Sequence, residues 1–313
     1  MKKKKILVIL TIILSFSYTM LNAGQTLVGE WNMNGSILSK TVNVGATTSW
    51  PNGGFVSETR NVIENPVGDL VFGGPKQGQG SASYPTQSDD GAGASGLAGD
   101  KCLIYIGTQH DCSFVPRVLN QISQAFRVEF DFKINDPPSN WGANGTTDIV
   151  DGGYNRFSIR LITDANAARI KAQAYCWKAD GTSSVTTSTG YTVDCVNWNH
   201  LECWLESGIF YLKLNSEVAF SIPLAGTLNP PANPDVTYSG LTIGARWDGA
   251  NRWTRANIDN VKLYSLDPSC GDWGYLNTDF NTDCVVDFKD IALFAEQWLT
   301  CTNPTGEGCI NAL

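Results

Sequence analysis

The chain has 313 residues, with 22 lysines and arginines against 30 aspartates and glutamates, and a formal net charge of −8. This acidic excess argues against nucleic acid or an anionic membrane surface as a partner, because both carry charge of the same sign. A chain of this length can bury a substantial core, either in one large domain or in one domain with a small module.

The first 23 residues have the order of a secretory signal peptide. Four lysines, Lys2–Lys5, precede an apolar run from Ile6 to about Met20, and the small residue Ala23 follows. The run is interrupted by serine and threonine and is short for a membrane-spanning helix. We therefore predict a signal peptide at residues 1–23, a secreted mature protein and no membrane span in the mature chain.

Residues 24–266 are predicted to form one β-domain. In the segment 126–134, phenylalanine, valine and isoleucine alternate with charged residues, as in a strand with one buried face. The same pattern continues at 156–163, 168–177, 199–207, 209–222, 240–245 and 256–266. No long helix is expected before residue 287. Many alternating strands predict a mostly β fold, a two-sheet antiparallel sandwich.

Nine cysteines in an exported chain predict disulfide bonds. Cys102 and Cys112 are hypothesised to staple one loop, and Cys176 and Cys195 to pair across a turn rich in serine and threonine. Cys203 is predicted to be buried because it is in phase with the apolar residues of its strand. Five of the nine cysteines lie in residues 24–266. Since this number is odd, at least one of them is free or pairs with the C-terminal segment.

Several segments of the β-domain resemble a known family. They are "VGEWNMNGS" (28–36), "WNHLECWL" (198–205), "FYLKLNSEVAFSIPLAGTL" (210–228), "LTIGAR" (241–246) and "NIDNVKLYS" (257–265). In that order they resemble the laminin-G-like jelly roll of the concanavalin A-like lectin and glucanase superfamily, over most of residues 25–266. The resemblance implies a hairpin with an asparagine-containing turn and a last strand paired beside the first. The region 36–121 departs from it and is expected to be rich in loops.

Aromatic side chains that could stack on sugar rings suggest a glycan-binding site. Trp204 is out of phase with the apolar residues of its strand and is predicted to point away from the core. The loop 244–255 groups several further candidates. The predicted ligand-binding residues are Trp204, Trp247, Asp248, Asn251, Arg252 and Trp253. The alternative is that these aromatic residues fill the core or close the ends of the sandwich.

Glu129 and Asp131 share one strand face and are the catalytic candidates if the protein is an enzyme. Retaining glucanases of the superfamily carry Glu-x-Asp followed closely by a second glutamate, and this strand has no second glutamate. We therefore favour a binding protein over an enzyme. We also predict that these carboxylates belong to a solvated strand face.

The segment "DFNTDCVVDFKD" (279–290) has the spacing of a calcium-binding loop. Calcium prefers six to eight oxygen ligands, and a twelve-residue EF-hand loop supplies them at fixed places. The predicted ligands are the side chains of Asp279, Asn281, Asp283, Asp287 and Asp290 and the carbonyl of Val285. Without a cation, four carboxylates this close together would repel one another.

The loop and the predicted helix 288–299 that follows it together resemble one repeat of a type I dockerin. The resemblance implies docking on a cohesin-like domain of a scaffold or cell-surface protein, with Phe288 and Lys289 at the recognition positions. A complete dockerin has two such repeats, and residues 267–313 contain one. Cys284 stands where glycine is expected, and a disulfide from it to Cys270 or Cys301 would hold the turn.

Three functions are consistent with these features. The favoured one is a secreted glycan-binding or adhesive protein with a calcium-dependent attachment module at residues 267–313. The second is a secreted polysaccharide-degrading enzyme, a hydrolase or lyase, on the same jelly roll. The third is a structural surface protein that binds other proteins.

Overall fold

The computed structural model describes residues 25–46, 54–80, 85–136, 145–153, 155–163, 170–187, 192–230, 240–249, 252–266, 278, 280, 286 and 288–298. The predicted signal peptide therefore lies outside the described residues. The chain divides into two compact units, one being Thr26–Asp267 and the other Met1–Gln25 with Pro268–Leu313. No helix within the described ranges has the length and apolar character needed to cross a membrane.

The first unit is a sandwich of two antiparallel sheets, as the alternating pattern predicts. The first sheet has eight strands in the order β15-β14-β13-β8-β17-β6-β5, and β1 also pairs with β17. Its strands are β1 (Thr26–Trp31), β5 (Thr86–Gln87), β6 (Leu103–Ile104), β8 (Phe126–Ile134), β13 (Asn199–Glu206), β14 (Ile209–Leu214), β15 (Glu217–Pro223) and β17 (Ala256–Ser265). The pairing of β17 with β1 confirms the expectation that the last strand lies beside the first.

The second sheet has nine strands in the order β12-β11-β10-β9-β16-β7-β4-β3-β2. Its strands are β2 (Ile37–Gly45), β3 (Phe55–Ile63), β4 (Leu70–Phe72), β7 (Ser113–Val115), β9 (Thr146–Asp151), β10 (Phe157–Thr163), β11 (Ile170–Trp177), β12 (Ser183–Thr187) and β16 (Leu241–Ile243). A short 3-10 helix, Val118–Gln121, lies between β7 and β8. Later in the sequence, helix α1 spans Phe288–Trp298.

The hydrophobic core lies between the inward faces of the two sheets. Along β8 the residues Phe126, Val128, Phe130 and Phe132 are fully buried. Phe126 stacks on Phe157 of β10 with ring centroids 4.2 Å apart, so the two sheets meet directly at this pair. Each buried side chain of this size contributes about 1.5–3 kcal/mol to folding. The strand alternation that fills the core also places every second residue on an outward face.

The hairpin between β14 and β15 turns at Asn215 and Ser216, as predicted from the sequence. Both residues have positive φ angles, 50° and 71°. Two consecutive left-handed residues are typical of a type I′ turn, whose twist matches that of the flanking strands. The Asn215 side chain accepts a hydrogen bond from the backbone N–H of His200 at 2.8 Å, which ties the turn to β13.

The region 36–121, which is expected to be rich in loops, also contains regular strands. This region supplies six strands, β2 to β7, and nine-residue strands β2 and β3 form a regular antiparallel hairpin. Most side chains of β2 are exposed or half-buried, so the strand has no continuous apolar face. Period-two apolar alternation is therefore a weak signal here, although the backbone pairs along the whole strand.

The proposed disulfide bonds of the sandwich are not formed. Cys102, Cys112, Cys176, Cys195 and Cys203 are all free thiols. The Cys102 thiol donates to the Ala92 carbonyl at 3.5 Å, whereas the Cys112 thiol donates to the His110 carbonyl at 3.7 Å. Burial raises the pKa of Cys176 to about 12, so this thiol is a poor nucleophile. The prediction that Cys203 is buried is confirmed. The cysteines of the C-terminal segment lie outside the described residues.

Candidate functional site

The outward face of the second sheet carries charged and aromatic side chains on three adjacent strands. Arg160 of β10 lies opposite Asp148 of β9 in the register. The Arg160 guanidinium lies 4.0 Å from the centre of the Tyr175 ring on β11, and Tyr175 stacks on Trp177 with centroids 5.7 Å apart. The alternation of β10 and β11 places these residues away from the core, because Phe157, Ile159 and Leu161 point into it.

The loop after β16 covers one end of this face. Gly244 has a φ of 87°, and an added Cβ there would come within 2.4 Å of the Tyr105 ring, so only glycine fits the turn. Asp248 pairs with Arg246 through a bidentate contact. The Asp248 carbonyl also accepts a hydrogen bond from the Gln79 side chain at 2.9 Å. These contacts hold the loop in place.

The sheet face and the loop enclose a cavity of about 310 Å³. We call it the Trp247 cavity. Its lining includes Asp151, Arg160, Trp177, Arg246, Trp247 and Arg252. Two indole rings and three guanidinium groups thus face one cleft. This combination can stack on a sugar ring and donate hydrogen bonds to its oxygens.

Two buried carboxyl groups lie beneath the arginines. Asp148 is 0% exposed and forms an ion pair with Arg160 at 2.6 Å, while Arg252 is 3.7 Å away. Asp151 is 2% exposed, and burial raises its pKa well above the ordinary value, with the nearby charge of Asp148 adding to the effect. Burial also raises the pKa of Asp148, but the guanidinium groups of Arg160 and Arg252 oppose that shift.

A second cavity, of about 340 Å³, lies next to the first and shares Arg252 with it. We call it the Trp253 cavity. Its lining includes Gly107, Thr146, Thr147, Arg252, Trp253 and Arg255. The Trp253 indole donates to the Gly249 carbonyl at 3.1 Å, and Arg255 pairs with Asp136 at 3.2 Å. Each cavity therefore combines an indole with a shared arginine.

Asp111 fixes a turn that supports this end of the sandwich. Its carboxylate accepts hydrogen bonds from the backbone N–H groups of Ile106 and of Gly107, the latter at 3.0 Å. The neighbouring His110 Nδ1 lies 3.3 Å from the Gly249 carbonyl, within the loop that lines both cavities. Burial raises the pKa of Asp111 from 3.8 to about 6, against the opposing effect of the backbone donors of Ile106, Gly107 and Thr108.

This raised pKa predicts that part of the stability is lost toward neutral pH. The contribution is fully present below pH 3.8 and disappears as the pH rises through the folded-state value of about 6. The free energy of unfolding should therefore fall by up to about 3 kcal/mol from this group as the pH rises to neutrality. Asp111→Asn, which cannot ionise, should remove that decrease in urea denaturation curves measured from about pH 4 to pH 7. Parallel pH profiles of the two proteins would contradict the assignment.

The predicted ligand-binding residues do not form one group. Trp247, Asp248, Arg252 and Trp253 lie in the loop beside the second sheet, whereas Asn251 lies outside the described residues. Trp204 is on β13 of the first sheet and stacks on Tyr211 with centroids 4.7 Å apart. Its side chain points away from the core, as predicted, but the whole core separates it from the Trp247 cavity. Trp177, a further candidate for stacking on a sugar ring from the sequence, lines that cavity. Sequence reasoning did not select Arg160 or Arg246, which also line it.

The catalytic candidates lie on the outward face of the first sheet, within a network of ion pairs. Glu129 contacts Arg127 and also accepts a hydrogen bond from the Tyr264 hydroxyl at 3.0 Å. Arg127 pairs in addition with Glu202 at 2.8 Å, the residue opposite Glu129 on β13. Two carboxylates thus meet here, but both are held by the same guanidinium. This arrangement favours a charge network that joins strands over an acid–base pair.

Asp131 has a similar environment. It accepts hydrogen bonds from His200 Nδ1 at 2.7 Å and from the Asn260 amide at 2.8 Å. The hydrogen bond with Asp131 raises the pKa of His200 and so favours the charged imidazolium. His200 therefore links β8 and β13 through Asp131.

Only part of the predicted calcium loop can be placed. Asp279, Asn281, Asp283, Val285 and Asp287 lie outside the described residues. Asp290 is 1% exposed, and its Oδ1 accepts a hydrogen bond from the backbone N–H of Phe280 at 2.8 Å. The Phe280 ring contacts Phe294 with centroids 5.3 Å apart. The hydrogen bond therefore joins the second and twelfth places of the segment 279–290.

The structure is similar to several solved structures. Domain 4 of AbnA, an extracellular arabinanase of Geobacillus stearothermophilus, matches with 12% identity and a TM-score of 0.39, over 77% of this chain and 93% of that one. The binding domain of botulinum neurotoxin DC matches with 12% identity and a TM-score of 0.35, over 84% of this chain and 52% of that one. The chain thus spans about half the length of the neurotoxin domain.

The family model for Laminin_G_3, described as the concanavalin A-like lectin/glucanases superfamily, matches residues 107–268. No curated protein matches the sequence. The matched segment contains β7 to β17 and thus the strands that carry both cavities. It covers more than half of the chain and confirms the jelly-roll resemblance. The chain belongs to the Laminin_G_3 family of the concanavalin A-like lectin/glucanase superfamily.

Proposed function

We propose that this protein is a secreted glycan-binding protein and that its ligand occupies the Trp247 cavity. The observation that carries the proposal is the convergence of Trp177, Trp247 and three arginines on one outward cleft of about 310 Å³. Sugar rings present apolar faces for stacking and hydroxyl groups around their rims, and the cleft provides a partner for each. The core of the sandwich provides a rigid support, because the cavity is built on paired strands.

Truncation of either tryptophan of the Trp247 cavity should weaken glycan binding. Trp247→Ala and Trp177→Ala should each weaken glycan binding by about 10- to 100-fold, since each removes an aromatic surface worth about 1.5–3 kcal/mol when buried. Binding would be measured by retention of the protein on a panel of neutral and acidic plant and algal polysaccharides. Affinity for the retained glycans would then be measured by titration calorimetry.

Trp204→Ala is the matched control, because Trp204 is also a half-buried tryptophan on an outward sheet face but lies on the other sheet. It should leave binding within about twofold of the wild type, which corresponds to less than 0.5 kcal/mol. Loss of binding in Trp204→Ala with full retention in Trp247→Ala would move the site to the first sheet. Retention of no glycan by the wild type would refute the proposed function.

Incubation of the protein with the same polysaccharides distinguishes a binding protein from an enzyme. New chain ends, assayed after incubation, would indicate that the bound glycan is cleaved. Glu129→Gln and Asp131→Asn would then be the first variants to test, because these carboxylates are the catalytic candidates. We expect retention without new chain ends, since Glu129 and Asp131 are both engaged by neighbouring donors.

The second part of the proposal concerns residues 267–313, which we assign as a calcium-binding attachment module. The hydrogen bond from the Phe280 N–H to buried Asp290 supports a closed loop that fits a cation. Phe288 is 86% exposed at the start of α1, and Lys289 is also exposed, so both are accessible to a partner. A cohesin-like domain of a scaffold or cell-surface protein is the expected partner.

A further inference from the structure

The Trp247 and Trp253 cavities meet at one cationic side chain. Arg252 lines both, and 37% of its side chain is exposed. Its backbone has a φ of 57°, a left-handed conformation that a residue with a Cβ adopts at a cost of about 1–2 kcal/mol. The Arg252 carbonyl accepts a hydrogen bond from the Asp148 N–H at 2.9 Å, which fixes this conformation against β9. The backbone of Arg252 is therefore fixed at the junction of the two cavities, and its side chain lines both.

With Asp151 in its neutral form, positive charge exceeds negative charge in the Trp247 cavity, although the whole chain is acidic. Arg160, Arg246 and Arg252 line it, while Asp148 lies close to both Arg160 and Arg252 and Asp248 pairs with Arg246. Arg160 is the nearer partner of Asp148, at 2.6 Å against 3.7 Å for Arg252. Burial favours the neutral form of the remaining acid, Asp151. An anionic ligand would therefore enter a cleft whose charge is opposite to its own.

A buried polar atom of this cleft has no partner within the described part of the chain. Asp151 is 2% exposed and lines the Trp247 cavity; its carboxyl group lies beside the Ser158 hydroxyl, but its Oδ1 makes no hydrogen bond there. A buried carboxyl oxygen without a partner is unfavourable by about 1–3 kcal/mol. In its neutral form the group has an O–H that can donate to a ligand oxygen. A carboxylate acceptor from the ligand would satisfy this donor and the arginines together.

We propose, building on the glycan-binding function above, that the ligand is an acidic oligosaccharide with carboxylate-bearing sugar residues. A carboxylate of the oligosaccharide binds the Arg252 guanidinium at the junction of the two cavities. The sugar rings on either side of it stack on Trp247 and Trp253. An arginine fork matches the two oxygens of a carboxylate and binds them in a bidentate manner.

The test compares acidic oligosaccharides with their neutral counterparts. The probes are tetramers of galacturonic acid and of mannuronic acid, and the same tetramers after reduction of their carboxyl groups. Titration calorimetry of the full-length mature protein should give at least about tenfold tighter binding to one acidic tetramer than to its reduced form, a difference of about 1.4 kcal/mol. Arg252→Met should abolish this preference, and Arg252→Lys, which keeps the charge without the fork, should restore part of it.

Lys171→Met is the matched control for overall charge, since Lys171 lies on β11 of the same sheet and does not line either cavity. It should leave the preference unchanged. If Arg252→Met keeps the preference, or if neither acidic tetramer binds more tightly than its reduced form, the inference is wrong. Binding of neutral glycans that Trp247→Ala abolishes would in that case leave the proposed function standing. If no member of the full polysaccharide panel binds, both proposals fail.

Discussion

Replacing Arg156 with methionine is expected to lower the free energy of unfolding by about 3–5 kcal/mol. Arg156 is 1% exposed, and its guanidinium donates to the carbonyls of Leu119, Ile122 and Ser123 at 2.7, 2.8 and 2.8 Å. Methionine fills a similar volume but removes all three hydrogen bonds, and the Leu119 carbonyl keeps a further donor, the Ile122 N–H at 3.3 Å. Each buried acceptor that loses its partner is expected to cost about 1–3 kcal/mol. Urea denaturation followed by circular dichroism measures the change.

Two further variants isolate the cause. Arg156→Lys keeps the charge but has a single nitrogen, which cannot reach three carbonyls in this arrangement, so it should fall between wild type and methionine. Arg117→Met removes an arginine that contacts the Phe55 ring from the surface, at 5.3 Å, and should cost less than about 1 kcal/mol. A loss below 1 kcal/mol in Arg156→Met would show that the buried guanidinium does not hold the segment 119–123 in place.

The sequence predicted the long strands of the sandwich because their apolar alternation is strong. β8, β13 and β17 were assigned within one residue of their bounds, since each buries one continuous face. β2 was missed because its side chains are largely exposed. β4 and β6 have three and two residues, too few for any periodicity to be read. Their pairing depends on contacts between distant parts of the chain.

The candidate site was predicted in part. The loop 244–255 was selected for its two tryptophans, and both line adjacent cavities. Arg160 and Asp148 were missed, because their contact depends on the register of β9 against β10, which the sequence does not specify. Trp204 was grouped with this loop although the orientation of its side chain was predicted correctly. Its sheet follows from the strand order, since β13 pairs with β8 and not with β16.

The two outward faces of the sandwich differ in a way that bears on function. On the first sheet, Glu129, Asp131 and Glu202 all contact donors of neighbouring strands, so the charges of this face bind one another. On the second sheet, Asp151 Oδ1 has no partner among the described residues and lies in a cavity lined by two tryptophans, and Arg252 is 3.7 Å from Asp148. The first sheet also has such an atom, Asn257 Oδ1 of β17, but neither of the two cavities includes it. Ligands bind where polar groups are left to be satisfied. The second sheet is therefore the better candidate for recognition.

Removal of calcium is expected to release helix α1 from its loop. The helix has eleven residues, and isolated helices of that length are marginally stable in water. Four carboxylates within residues 279–290 would repel one another once the cation is gone. In hydrogen–deuterium exchange of the full chain, amides of 288–298 should exchange at least about tenfold faster with a calcium chelator than with calcium. Peptides covering β8 should be unaffected and serve as the internal reference.

Asp290→Asn distinguishes the effect of calcium binding from that of the hydrogen bond to Phe280. The asparagine oxygen can still accept from the Phe280 N–H, but the side chain no longer carries the charge that calcium prefers. The variant should therefore exchange rapidly in the helix even when calcium is present at concentrations that protect the wild type. Glu296→Gln removes an acidic residue from the same helix outside the loop and should retain the calcium response. Equal exchange of the wild-type helix with and without calcium would refute the calcium assignment, because a bound cation must stabilise the loop that holds it.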